Sequence, residues 1–319
     1  MSEFTGERVG FVQVGREGWL LPSRYQEQAL GYYTMALRPD DVWIATFPRS
    51  GTTWCQEMVW LINNNLDYEA ARKVPLDTRF PFLDRMVDLE WNAAQSPATQ
   101  RGIGYEQPTD RQTTWRTPGY QLASFSQSPR HFKTHLPFTL LPPSLLDRCK
   151  VIYVARNPLD VVVSYFHHNR YLAVHGYTGD FQKYWHYFQD DLLVYSPYWE
   201  HLKQAWVKRN HPNLLFLFYE DLLRDLPGNI RKISAFLGNP LNDDQVLKLS
   251  NHLQIDNFRN NVPLYPDVPI TGLTRDEEQG LIRRGKVKGN SEFTEELEAE
   301  ANKWVTENLA LTDLRFPCK

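Results

Sequence analysis

The chain has 319 residues, 42% of them hydrophobic and 23% charged, with a formal net charge of −3. That is enough apolar material for a large core, and it excludes bulk electrostatic attraction to nucleic acid or to a membrane surface, so an anion site must be built locally. The three cysteines, Cys55, Cys149 and Cys318, show no metal-ligand spacing and read as reduced thiols, the first two as core filler. Met1 to Arg16 is polar and lacks an apolar signal core, and no stretch approaches the ~20 apolar residues of a membrane span. A soluble, cytoplasmic protein is the expectation.

In chain order, Val42–Phe47 reads as a buried strand. It runs through Pro48-Arg49-Ser50-Gly51 into a helix over 52–63 with apolar residues at helical spacing. A strand, a tight turn and a helix N-terminus make an anion cradle, with backbone N–H groups at Gly51, Thr52 and Thr53 aimed at one ligand. Arg49 adds a full charge and Trp54 a flat face. A nucleoside-triphosphate loop of the form GxxxxGK would need an upstream glycine and a lysine after Gly51, and both are missing. A plain strand-to-helix turn is the alternative for this segment taken alone.

The stretch from Asp84 to Ser128 is weakly periodic and carries Trp91, Tyr105, Trp115 and Tyr120. It reads as an extended loop that holds short helices or forms a lid over a pocket, with a plain surface excursion as the alternative. His131–His135 is a short strand candidate. Lys133 and His135 fall on one face of it, placing a cation beside a potential base; a structural histidine is the bland reading. Lys150–Ala155 is the clearest strand. It leads through Arg156-Asn157-Pro158 into a helix over 159–171 that carries Ser164. A guanidinium fork with a nearby hydroxyl suits phosphate oxygens, although a strand-end arginine is often only a surface ion-pair partner. Leu214–Tyr219 is another apolar strand, Glu220-Asp221 opens the next helical pattern, and Arg231–Leu237 continues as an amphipathic helix. Finally, Arg283-Arg284-Gly285-Lys286-Val287-Lys288-Gly289 places cations beside glycines. It suits a close-lying polyanion, or is a solvated basic loop. Alternating strands and helices predict an α/β fold: a P-loop-like parallel sheet with helices on both faces, one domain over 1–319, and ligands outside the carboxyl ends of the strands.

Read together, these segments resemble the cytosolic sulfotransferases, in particular an invertebrate member, over roughly Asp41 to Gly289. The run Phe80–Leu83 and the Tyr-Glu-Asp run at Tyr219–Asp221 match as well. The resemblance implies transfer of a sulfuryl group from 3′-phosphoadenosine 5′-phosphosulfate (PAPS) to an acceptor hydroxyl or amine, with 3′,5′-adenosine bisphosphate (PAP) as product and no metal. It implies that Ser50, Gly51, Thr52 and Thr53 hold the 5′-phosphosulfate and that Trp54 stacks on the adenine. Arg156, Ser164, Arg283, Arg284 and Gly285 would hold the 3′-phosphate, and Tyr219 would approach the adenine edge. His135 would be the general base, Lys133 a stabiliser of the transferring group, and Arg49, also on the cosubstrate, its partner at the leaving phosphate. The reaction parallels in-line phosphoryl transfer, in which positioning and charge neutralisation dominate.

Departures from the family pattern are specific. Arg49 stands where lysine is usual; it keeps the charge but cannot donate a proton to the leaving phosphate. Leu253-Gln254-Ile255 replaces a Thr-Ser-Phe beside the adenine. Of the dimer motif Thr294 survives, with Asn290, Glu295 and Ala299 at other signature positions, which leaves homodimerisation open. Gly289-Asn290-Ser291 stands for Gly-Asp-Trp. Phe82, Phe138, Tyr165 and Phe166 lie next to the catalytic motifs and are expected to line the acceptor pocket, with a core role as the alternative. They suit a planar, apolar small molecule with one hydroxyl: a phenol, a catechol, an alcohol or a retinoid-like polyene.

Overall fold

The computed structural model describes residues 2–6, 10–85, 117–264 and 292–317. A hairpin of β1 (Phe11–Val14) and β2 (Trp19–Pro22) comes first. It is turned by Gly15 and Gly18, both at φ above +70°, where glycine carries no Cβ penalty. The main sheet follows: β3 (Val42–Thr46), β4 (His131–Thr134), β5 (Lys150–Ala155) and β6 (Leu214–Phe218), all parallel in the order β4-β3-β5-β6.

Period-two alternation divides the sheet residues between two cores. Trp43, Ala45, Val151, Tyr153 and Ala155 face one of them. It is closed by the helices Pro158–Tyr171, Phe181–Gln189, Tyr198–Val207 and Glu295–Leu309 through Val161, Trp185, Leu202 and Leu297. Val42, Ile44, Ile152, Val154 and Leu217 face the other, against the helices Thr52–Asn63, Leu226–Leu237 and Asp243–His252 through Met58, Ile230 and Leu249. Burial on both faces is why these strands read as continuous apolar runs. Cys55 and Cys149 are buried free thiols in these cores, as core filler should be.

Charge is used inside the fold to set register. Arg130, just before β4, donates from Nε to Asp41 Oδ1 at 2.7 Å and from a terminal nitrogen to Asp41 Oδ2 at 2.5 Å, and both residues are buried. Asp41 immediately precedes β3, so this two-pronged pair fixes where the two strands enter the sheet. Deep on the other face, Glu57 accepts from Arg79 at 2.6 Å and lies 2.8 Å from His252 Nε2.

The expected strands at 42–47, 131–135 and 214–219 each end one residue sooner. In each case the last expected residue, Phe47, His135 or Tyr219, has turned out of the sheet and belongs to the rim above it. The helix over 159–171 begins at Pro158, with Asn157 capping it by accepting from Leu159 N at 2.9 Å; proline at the first position is suited to that place. The N-terminal hairpin was not foreseen, because its strands are only four residues each, too short to show a period. Within the long stretch 84–128, the described part includes a helix, Gly119–Phe125; Trp91, Tyr105 and Trp115 lie outside the described residues. Among the described residues no helix is long and apolar enough to cross a membrane.

Candidate active site

The carboxyl ends of β3, β4, β5 and β6 open on the same side, since all four run parallel. They deliver Arg49–Gly51, His135, Arg156 and Tyr219 to one rim. After β3 the backbone turns sharply, with Arg49 at φ +67° and Gly51 at φ +99°. A Cβ on Gly51 would lie 2.6 Å from Tyr219 Cδ2, so only glycine fits there. Arg156 secures the turn by donating from a terminal nitrogen to Arg49 O at 2.8 Å, while its guanidinium lies 4.4 Å over the Tyr219 ring. Trp54 stands edge-on to Tyr219 at 6.1 Å and donates from Nε1 to Leu253 O at 2.9 Å. That bond uses a main-chain carbonyl, which explains how Leu253 serves at a position where the sequence departs from the family pattern. The Thr52 hydroxyl pairs with that of Thr46 at 2.7 Å, and Thr53 occupies the first turn of the same helix.

Two polar atoms in this rim are buried with no partner among the described residues: Ser50 Oγ and Arg156 Nε. Leaving such groups unsatisfied costs roughly 1–3 kcal/mol each. The Ser50 hydroxyl just before a helix N-terminus, with no side chain on Gly51, suits a phosphate-like anion, and the Arg156 N–H is a further donor suited to a negative group.

His135 is held on three sides. Its Nδ1–H donates to Thr46 O at 2.8 Å, with the Thr46 hydroxyl at 3.2 Å. Its backbone N–H lies 3.2 Å from each carboxylate oxygen of Asp84. Its carbonyl accepts from His201 Nε2 at 3.0 Å, and His201 Nδ1 in turn accepts from the Tyr153 hydroxyl at 2.7 Å. A carbonyl partner on Nδ1 leaves the lone pair on Nε2, the arrangement a proton acceptor needs. Burial pushes the His135 pKa down to about 3, and the positive charges of Lys133 and Arg49 add to the effect. Burial also pushes His201 down to about 4 and Asp84 up to about 6.

Lys133 places its Nζ 4.8 Å from the Phe82 ring centroid, and burial lowers its pKa. Phe82 runs alongside β4 through a parallel bridge to Lys133, with Lys133 N donating to Pro81 O and Leu83 N donating to Lys133 O. This brings the Phe82 ring to 5.2 Å from His135, and Tyr195 flanks the imidazole at 5.4 Å. Arg49 extends toward the helix Pro158–Tyr171, donating from Nε to Ser164 Oγ at 3.0 Å and from a terminal nitrogen to His168 Nδ1 at 3.4 Å.

The other aromatics sit further from the imidazole's contacts. Phe138 stacks on Tyr153 at 6.3 Å. The Tyr165 ring meets Phe47 edge-on and its hydroxyl donates to Val194 O at 3.2 Å. Phe166, 3% exposed, packs against Phe181 and Tyr184 in the core. Arg283, Arg284 and Gly285 lie outside the described residues. Thr294 caps the last helix by accepting from Leu297 N at 3.2 Å. Sequence reasoning missed Asp84, Tyr195, His201 and His168. The only signal for them was polar or aromatic character at single positions: Asp84 and His168 adjoin motifs without belonging to them, and Tyr195 and His201 lie well away from any.

Residues 39–313 match the sulfotransferase domain family. The chain belongs to the sulfotransferase family. This sulfotransferase is 32% identical to the luciferin sulfotransferase of Photinus pyralis over 94% of this chain and 80% of that protein. It is 33% identical to sulfotransferase 1B1 of Canis lupus familiaris over 78% and 76% respectively. Among solved structures it resembles retinol dehydratase in complex with retinol and PAP, with 37% identity and a TM-score of 0.86, covering 98% of this chain and 94% of that one. Retinol dehydratase has also been solved with androsterone and PAP, at 36% identity and the same TM-score. The expected α/β fold, a parallel sheet flanked by helices, is thus the sulfotransferase fold, and the chain is an enzyme of the transferase class.

Proposed function

We propose that this sulfotransferase moves a sulfuryl group from PAPS to the hydroxyl of a small, apolar acceptor, with His135 as general base. The observation that carries the reading is the His135 ring: Nδ1 is committed to Thr46 O, so Nε2 keeps its lone pair, and burial first, with the charges of Lys133 and Arg49 adding to it, lowers its pKa.

PAPS supplies the activated sulfuryl group. On this reading Ser50, Gly51, Thr52 and Thr53 bind its 5′-phosphosulfate, and the buried, unpartnered Ser50 hydroxyl supports that role. Arg156, with an unpartnered Nε, and Ser164 bind the 3′-phosphate together with Arg283, Arg284 and Gly285. Trp54 stacks on the adenine and Tyr219 approaches its edge. His135 Nε2 takes the acceptor's proton as its oxygen attacks, which is worth typically ~10²–10⁴-fold. Arg49 and Lys133 neutralise the negative charge that grows on the transferring group and the leaving phosphate.

The acceptor side supports an alcohol or a phenol. Phe82 and Tyr195 flank the imidazole with aromatic surface, and the similar retinol dehydratase holds retinol in one structure and androsterone in another. An apolar acceptor with one hydroxyl, retinoid-like or steroid-like, fits this surface best, with catechols and amines as further candidates. The unit is one catalytic domain over residues 1–319, working in the cytoplasm.

The test is transfer of labelled sulfate from PAPS to retinol, androsterone, 2-naphthol and catechol, with PAP formation followed in parallel. Sulfated product from at least one acceptor is expected. PAP binding without transfer to any acceptor would make the protein a nucleotide binder and overturn the proposal.

A further inference from the structure

The helix Pro158–Tyr171 contributes more to the site than Ser164. His168 lies one turn further along it, and residues four apart share a helix face. Both side chains accept from Arg49, Ser164 Oγ from Nε at 3.0 Å and His168 Nδ1 from a terminal nitrogen at 3.4 Å. None of the motifs read in the sequence includes His168. A guanidinium carries five N–H donors in a rigid plane, whereas an ammonium is a point charge on a shorter stem. A lysine at position 49 would end one atom short of the terminal guanidinium nitrogen that meets His168. The arginine and the second acceptor therefore go together.

Building on the function proposed above, we infer that His168 is a positioning residue for Arg49: its Nδ1 and the Ser164 hydroxyl, one helical turn apart, aim the guanidinium at the charge that develops during transfer. The role requires a neutral imidazole, and the surroundings keep it neutral. Burial and the Arg49 charge hold the His168 pKa well below its ordinary value, with His175, His135 and Lys133 adding to the effect. His175, whose ring lies 5.7 Å away, is itself pushed down to about 4 by burial, so His175 sets no positive charge beside the guanidinium.

The test pairs substitutions at 168 with the lysine exchange at 49. His168→Leu removes the acceptor, and His168→Asn retains an acceptor oxygen. In the parent enzyme, His168→Leu is expected to lower kcat by ~10-fold while KM for PAPS and affinity for PAP change by less than ~2-fold, and His168→Asn to recover most of the loss. In an Arg49→Lys background, the same His168→Leu exchange should change kcat by less than ~2-fold, since coupled residues are non-additive. Should His168→Leu fail to fold, His168→Met carries the same test. An equal loss in both backgrounds, a parallel loss of PAP affinity, or no loss in the parent would overturn the inference. If the unmodified enzyme transfers sulfate and His168→Leu matches it, only this inference fails. If the unmodified enzyme transfers none to any acceptor, the function fails and takes this inference with it.

Discussion

His135 Nδ1 and Thr46 O are 2.8 Å apart, which ties the imidazole of one strand end to the backbone of the neighbouring strand. Because β3 and β4 run parallel and pair through Ala45 and Thr134, the residue after β4 is delivered beside the last residue of β3. The tautomer of the proposed base is therefore a consequence of sheet register, and any acceptor side chain at position 46 would leave it unchanged.

Replacing His135 with Asn should lower transfer by ~10²–10⁴-fold and leave PAP affinity, measured by isothermal titration, unaltered. A histidine acts as base above its pKa. With that value near 3, the unprotonated ring is present throughout pH 5–8, so kcat should lack the acidic fall near 6.5 that an ordinary histidine gives. A kcat profile with a midpoint between pH 6 and 7 that disappears in His135→Asn would contradict this.

Gly51→Ala combines a φ of +99° with a Cβ 2.6 Å from Tyr219. The backbone strain alone costs roughly 1–2 kcal/mol, and the ring must also move. PAP affinity should fall by at least ~10-fold, a factor worth about 1.4 kcal/mol. Unchanged affinity would mean that this turn does not touch the nucleotide.

Arg156→Lys keeps the charge but gives up the planar fork that bonds Arg49 O and lies over Tyr219. PAP affinity is expected to drop by ~10-fold or more, since a fork-and-stack site does not tolerate an ammonium. Titration with PAP and with 5′-AMP separates the effects: the loss should be larger for PAP, which carries the 3′-phosphate.

Asp84 accepts the His135 N–H, and burial raises its pKa to about 6. The folded protein therefore binds this proton more tightly than the unfolded chain, whose carboxyl titrates near 3.9. The contribution of Asp84 to stability is greatest below pH 4, falls as pH rises to 6, and is level above. Asp84→Asn removes that dependence, so its melting temperature relative to the parent should rise between pH 4 and 6. Asp84→Leu, which leaves the His135 N–H without a partner, should lose kcat several-fold.

Local pattern made some elements legible before any tertiary contact was known. Lys150–Ala155 and Thr52–Asn63 were foreseen with the bounds they have, because a β-branched run bounded by polar residues and an apolar helical period are both short-range signals. The Ser50–Trp54 turn was legible for the same reason. The hairpin β1–β2 was not, since part of what holds Trp19–Pro22 comes from far along the chain, as with Ser196, whose carbonyl accepts from Leu20 N.

From the chain alone came the parallel α/β sheet, the strand–turn–helix after its first strand, and the identities of Arg49, Lys133, His135 and Arg156 as charge-bearing candidates. Folding decided their relations. The Asp84 carboxylate under the His135 amide, the His201 donor on its carbonyl and the His168 acceptor for Arg49 join residues 51, 66 and 119 positions apart. No periodicity extends over such separations. They meet because four parallel strands end at one rim, where hydrogen-bond geometry decides which nitrogen of a histidine keeps its lone pair.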